Sequence, residues 1–385
     1  MEVTRIIHPI GQGAFYTERI CSKDQIYNVV YDCGSGINKN APKRLIQEIA
    51  SVFTSNDVVD ILFVSHFDND HINGIRELKK RVKEIRNIVV PLVEKNDYWF
   101  YCVENQNFIA FYDSLEEIAS HVYRVKPNIN DERELNNQLI DLTEREGGII
   151  NGGAKFKWAT IDWCYIPFNY DQKVRLEKLK AELAGQGVPV DIFTQDLSTI
   201  WGYLDKIKKA YKKVIPDGAN KTSLIVYSGG LTSRYIMRQY QYCMRPRFCC
   251  EFCRHPFLRP EGCLYFGDND VNQGLLLADL KNALNQVIDR IGTIQIPHHG
   301  ALKNFNVGIF DINKNQKSFF VSFGIHNTYG HPSMRVIDDV VRSGSCLFEV
   351  TENRGSGYMQ LIYDNLIMSV LWNSPEIRIS GLFCK

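Results

Sequence analysis

The sequence predicts an α/β layered fold, and three observations predict it. Short apolar runs of strand length alternate with amphipathic helical stretches through the first third of the chain. Strand-like runs return in the last third. Clusters rich in His and Asp follow directly on several of those runs, as expected where strands deliver side chains to a shared crevice.

In order along the chain, VTRIIHPI and IYNVVYDCG read as strands, the second ended by Gly34. APKRLIQEIASVF has helical spacing, with Leu45, Ile46, Ile49 and Phe53 on one face. DILFVSH is a strand, GIRELKKRVKEI an amphipathic helix and NIVVPLV another strand. From about 97 to 219 the pattern is less regular, and two charged helical stretches suggest a helical insertion. Then TSLIVYSGG, CLYFGDND, TIQIPHHG and SFFVSFG read as strands, followed by hairpin-like CLFEV and YMQLIYDNLIMSVLW. With no internal repeat or low-complexity linker, 385 residues are read as one domain carrying that insertion and a basic Cys-rich one at 231–262.

Composition narrows the class. Apolar residues at 44% and aromatics at 12% provide for a sizeable core. A net charge of +1 gives no whole-molecule attraction to nucleic acid, so such a preference must come from local patches. The opening MEVTRIIHPIGQG has no basic segment leading into a long apolar run, and no stretch approaches the roughly 18 apolar residues of a membrane span. A cytoplasmic protein with no membrane partner is expected, its eleven cysteines mostly reduced.

Four polar clusters sit at strand ends: His66 to His71 after ILFV, Asp268 to Asp270 after CLYFG, His298 and His299 after TIQIP, and His326 to His331 after FFVSFG. Asp32 after NVVY is a weaker fifth. Imidazole and carboxylate together suit Zn, Mn or Fe. Two close divalent ions would activate a water and neutralise charge on a phosphoryl or carbonyl centre, and Asp268 is placed to bridge them. A lone His after a strand is more often a cap or a surface residue. Three such clusters, each after its own strand, favour a metal site. In NTYGHPS, Gly330 and Pro332 shape a rigid loop in which Asn327 and His331 are candidate catalytic residues, His331 as general acid.

These motifs resemble the metallo-β-lactamase fold family. Its HxHxDH signature appears as His66-Phe67-Asp68-Asn69-Asp70-His71, with Asp68 in place of the second His. That replacement resembles a subgroup, the soluble metal-hydrolase domain of the bacterial DNA-uptake channel ComEC, as do IGQGA, VVYDCG, IPHHGA and VSFGIHNTYGHPS. Ala14 stands where the subgroup has Asp. The resemblance implies a four-layer αββα sandwich holding one or two divalent metals, Zn or Mn. It implies His66 and Asp68 on the first metal, Asp70 and His71 on the second, Asp268 as bridge, and one of His298 and His299 completing the second. A further family His has no clear counterpart, since His121 falls in helix-like LEEIASHVYRV, so the first site is under-filled.

The 231–262 insertion carries a second pattern. Cys243, Cys249, Cys250, Cys253, His255 and Cys263 lie close enough in sequence for a separate structural zinc, against the plainer reading of small buried thiols. Six arginines against two glutamates give it a net +4. Arg234, Arg238, Arg245, Arg247 and Arg254 interleave with aromatics, as in channels for single-stranded nucleic acid, although protein interfaces share that composition.

The expected function is a metal-dependent phosphodiesterase, a nuclease with nucleic acid as substrate. The rivals are hydrolysis of a small phosphoester, cyclic nucleotide or ester, and a non-catalytic interaction module. A free nuclease would need restraint, so a regulatory protein partner is expected, such as a sensor ATPase in bacterial antiviral defence.

Overall fold

Alternation sorts the side chains of the first strand. In β1 (Glu2–Ile7) every second residue is buried, which places one face of its sheet against a core. The computed structural model describes residues 1–36, 41–95, 98–102, 105, 107–127, 138–144, 146–170, 173–189, 199, 202–214, 223–232, 235–241 and 260–364. β1 pairs with β2 (Gly13–Ser22), and β2 with β3 (Gln25–Ser35), both antiparallel. From β3 the sheet continues in parallel through β4 (Val58–Phe63), β5 (Glu84–Pro91), β6 (His121–Val125) and β8 (Gly148–Ile150).

The second sheet has the same mixed character. β7 (Leu139–Asp141), β9 (Lys155–Lys157), β10 (Cys164–Phe168) and β11 (Ile225–Gly229) lead to β13 (Gly262–Tyr265). Parallel pairing then runs through β14 (Ile291–Gln295), β15 (Ser318–Ser322) and β16 (Cys346–Val350). The last described strand, β17 (Tyr358–Asp364), returns to the first sheet between β1 and β12 (Tyr235–Gln241).

Three apolar layers hold these pieces together. Tyr16, Tyr31, Phe63, Trp163, Tyr265 and Phe320 pack between the sheets. The other face of the first sheet, with Val30, Leu62 and Val64, packs on α1 (Ala41–Val52) and α3 (Ile75–Arg81), which lie either side of the short α2 (Asn69–Ile72) in sequence. Ile294, Phe319 and Val321 cover the outer face of the second sheet against α9 (Leu276–Ala283) and α10 (Met334–Arg342). Burial on both faces explains why ILFV is a continuous apolar run rather than an alternating one. The order helix, sheet, sheet, helix is the expected αββα sandwich.

A charged network crosses the inter-sheet layer. Arg5 and Glu18 are buried, with Arg5 Nε 2.6 Å from Glu18 Oε1. Tyr265 also donates to Oε1 at 2.7 Å, and Tyr165 and Ser228 donate to Oε2, each at 2.7 Å. Arg5 Nη1 donates to Gln360 Oε1 at 2.5 Å. Burial alone would raise the Glu18 pKa, but the Arg5 charge and these donors hold it below the ordinary value.

The structure corrects several expectations. CLFEV and YMQLIYD form no hairpin, because β16 and β17 belong to opposite sheets. The stretch at 97–219 is not helical throughout. Short helices α4 (Tyr98–Cys102), α5 (Phe108–Tyr112) and α6 (Leu115–Ile118) come first, and α7 (Lys173–Gly185) and α8 (Leu204–Val214) come last. Between them β6 to β10 join both sheets. His121 opens β6 instead of lying in a helix, since pairing with β5 outweighs the local helical pattern. For the same reason the helix from Gly74 stops at Arg81, and Glu84 and Ile85 enter β5.

Candidate metal centre

The parallel strands of both sheets end on one side of the sandwich, and their C-terminal loops carry the polar clusters. β4 runs into the 66–71 loop, whose backbone packs closely against the first hairpin. A Cβ at Gly34 would lie 2.5 Å from the backbone of Asp70 and His71, and one at Gly13 would lie 2.4 Å from the Asp70 carbonyl oxygen. Only glycine permits that approach, which gives GQG and DCG a physical reason. β13 delivers Asp268, and β14 delivers His298 and His299. Asp32, His298 and His299 all have left-handed backbones, with φ of 55°, 47° and 52°. Each costs about 1–3 kcal/mol unless its surroundings impose it, and such strain gathers at functional sites.

Asp268 lies at the middle. Its Oδ2 stands 3.8 Å from His66 Nε2 and 3.7 Å from His298 Nε2. Its Oδ1 stands 3.5 Å from His71 Nε2 and 3.7 Å from His299 Nε2. Asp68 Oδ2 is 4.0 Å from His66 Nε2, and Asp70 Oδ2 is 3.7 Å from His299 Nε2. These spacings are long for hydrogen bonds. Ligands at about 2.1 Å from a shared tetrahedral ion stand about 3.4 Å apart, close to what is seen. His66 Nε2, His71 Nε2, His299 Nε2 and Asp268 Oδ1 are buried with no hydrogen-bond partner, an arrangement that normally costs stability. The donor set therefore fits divalent metal. His66, His71 and Asp268 form one compact group, and Asp70, His71 and His299 another.

Second contacts aim these donors. Asp32 accepts from His71 Nδ1 at 2.8 Å and from Ser65 N and Oγ, each at 2.6 Å. It supports a ligand instead of being one. Ser65 Oγ and Ser223 Oγ lie 2.9 and 3.2 Å from His66 Nδ1. His299 Nδ1 donates to the Ser322 carbonyl at 2.7 Å. Each of these three rings thus presents Nε2 to the centre, as metal-bound histidines require.

The carboxylates and rings perturb one another strongly. Burial alone would lower the His71 pKa, but Asp268, Asp32 and Asp70 push it up to about 10. Burial and the His71 charge push His66 down to about 3. Burial would raise Asp70, but His71 and His299 bring it to about 2, and the surrounding histidines hold Asp268 well below the carboxylate range.

The centre forms part of the lining of a cavity of about 930 Å³. His331 lines it too, its ring centroid 5.9 Å from that of His298 and stacked on Tyr329. Burial and the nearby His298 lower His331 to about 4, so in the protein alone it is neutral at pH 7. Asn327 Nδ2 donates to the carbonyls of Gly324 and His331, and its Oδ1 accepts from the Tyr329 and His331 amides. Its side chain shapes the loop, a positioning role.

Residues 26–152 match the metallo-beta-lactamase superfamily model. That stretch contains β3 but for its first residue, β4 and the whole His66–His71 loop. Among solved structures, the metallo-beta-lactamase fold protein YhfI from Bacillus subtilis is similar over 93% of this chain and 99% of its own, at 10% identity and a TM-score of 0.38. No curated protein matches by sequence. The matched third of the chain is thus similar to that superfamily, and it lies in a sandwich of two mixed sheets with helices on both outer faces.

The basic insertion is a different case. Cys243, Cys249, Cys250, Cys253, His255, Arg234, Arg245, Arg247 and Arg254 lie outside the described residues. Cys263 is buried in β13, where burial pushes its thiol up to about 12. It belongs to the inter-sheet core, as the plainer reading of small buried thiols has it. Arg238 lies on edge strand β12, opposite Leu361, and is not among the residues lining the cavity. No helix among the described residues is long and apolar enough to cross a membrane.

Sequence reasoning missed Ser65, Ser223 and Ser322. Ser65 could have been found beside His66. Ser223 lies 157 positions from His66, and nothing local marks it.

Proposed function

We propose that the protein is a metal-dependent phosphodiesterase that cleaves nucleic acid, as in the ComEC-like subgroup its motifs resemble. One observation carries the reading: buried, unpartnered His66 Nε2, His71 Nε2, His299 Nε2 and Asp268 Oδ1 converge beside an open cavity. His66, Asp68, His298 and Asp268 Oδ2 would hold one metal, and Asp70, His71, His299 and Asp268 Oδ1 a second. Zn or Mn there supplies Lewis-acid activation of water and neutralises charge on a phosphoryl group. On this reading the under-filled first site gains His298. Asp32, Ser65, Ser223 and the Ser322 carbonyl fix ring orientation. His331 and the exposed Tyr329 provide an aromatic wall for the substrate's leaving side. A protein partner that restrains the activity belongs to the same reading.

The test is cleavage of single- and double-stranded DNA and RNA with added Mn or Zn. Wild type is compared with the double variant Asp70→Ala, His71→Ala. Cleavage by wild type alone is expected. Hydrolysis of small esters with no cleavage of any nucleic acid would overturn the nuclease reading while leaving a hydrolase.

A further inference from the structure

The metal centre occupies one part of the cavity, and the chemistry of another part lies outside it. Four carboxylates line this cavity: Asp68, Asp70, Asp268 and Glu352. Among its described lining residues one is a lysine or arginine, namely Arg44 on α1.

Arg44 is held from behind. Its Nε donates to the Pro9 carbonyl at 3.0 Å, and its Nη2 meets Glu48 Oε1 at 2.5 Å. Glu48 Oε2 is in turn 3.3 Å from Nδ1 of the buried His8, whose Nε2 is 2.8 Å from Thr17 Oγ1. The side chain of Arg44 is 13% exposed. This bracing spans α1, β2 and the 8–10 turn, and it presets a long side chain that would otherwise lose rotamer freedom on binding an anion. Exposed Arg354 is near enough for its charge to act on both Arg44 and Glu48, and it follows Asn353 at the cavity rim. Arg44 is therefore a cation in a cavity whose other charged lining residues are carboxylates, with Arg354 just beyond the lining.

We propose that Arg44, with Arg354 beyond it, forms an anion subsite for a phosphate of the substrate that flanks the one at the metal centre. The inference rests on the phosphodiesterase reading and adds a substrate requirement to it: a strand carrying at least one phosphate beyond the scissile linkage. Guanidinium is suited to this task because its planar donors pair with phosphate oxygens while Nε stays on Pro9.

The experiment is equilibrium binding, in Mn buffer, of the phosphorothioate-linked dinucleoside TpT, whose single linkage is the one proposed for the metal centre. The ligand is used plain, with a 5′-phosphate and with a 3′-phosphate. The proteins are wild type, Arg44→Lys, Arg44→Ala and Arg354→Ala, each checked for metal uptake and melting temperature. One terminal phosphate should tighten binding to wild type by about tenfold, the scale of one charge-assisted contact. Arg44→Ala should abolish that gain, Arg44→Lys keep part of it, and Arg354→Ala reduce it. The arm that responds identifies the side of the scissile bond. If plain and phosphorylated strands bind wild type equally well, the subsite is wrong and the nuclease reading stands. If none binds a metal-loaded wild type, both fall. An undiminished phosphate gain in Arg44→Ala also overturns the assignment.

Discussion

Two buried polar clusters lie in this sandwich, and they are built on opposite principles. Around Glu18 both carboxylate oxygens accept two hydrogen bonds each, and the charge of Arg5 is matched at 2.6 Å. Around Asp268 the nearest histidine nitrogens stop at 3.5–3.8 Å, and several buried atoms have no partner. The first cluster is closed by protein groups alone. The second turns its lone pairs toward common points at spacings suited to a cation. Both are buried and both hold charged groups, so neither property distinguishes a structural network from a candidate functional centre. Whether the donors are satisfied does.

The same carboxylate-to-amide change should separate them. Asp268→Asn should lower hydrolysis by at least about a thousandfold, since it removes the group proposed to join both metals. Elemental analysis should show metal content falling with it. In chelator the variant should lose some stability, because the histidines around Asp268 favour its charged form, but less than Glu18→Gln loses, since no histidine nitrogen is within hydrogen-bond distance of Asp268. A loss in chelator as large as that of Glu18→Gln would erase the contrast.

Glu18→Gln should do the reverse. Breaking a buried pair costs about 3–5 kcal/mol, which urea unfolding would read. Metal content of the folded protein should not change. Added Mn or Zn should stabilise wild type by about 2.7 kcal/mol at a hundredfold excess over Kd, and Asp268→Asn by far less. Equal stabilisation of both would place the metal elsewhere.

Acid sharpens the comparison further. Glu18 has a folded pKa below its ordinary 4.5, so it contributes stability that is present above that value and lost as pH falls through the folded one. Wild type should therefore lose stability below about pH 4.5 more steeply than Glu18→Gln. Parallel curves would remove Glu18 as the cause. The smallest effect is expected at His331. A group held neutral at pH 7 is a poor proton donor, so His331→Ala should slow hydrolysis by less than the roughly hundredfold or more of a true general acid. A larger loss would restore the role that its loop position suggested.

What could be read from the sequence was local. His66, Asp68, Asp70 and His71 fall within six positions after an apolar run, so both their strand and their purpose are visible. His298 and His299 were legible as candidates, but local sequence cannot show that each reaches a different oxygen of Asp268. That depends on two consecutive left-handed residues. Ser223 beneath His66 and Glu48 behind Arg44 were hidden for another reason. Their meaning lies in a partner brought near by sheet packing or by a helix face. Strands β7 to β9 escaped because each is three residues long, too short for a period to register.

The order of strands carries a consequence for synthesis on the ribosome. β1 emerges well before β17, one of its two neighbours, whose residues Tyr358–Asp364 follow more than three hundred positions later. Until then one edge of β1 exposes unpaired amides and carbonyls, and Arg5 waits for Gln360. Through that interval the nascent chain carries a sticky margin beside a half-paired arginine, a period in which a chaperone has something definite to cover.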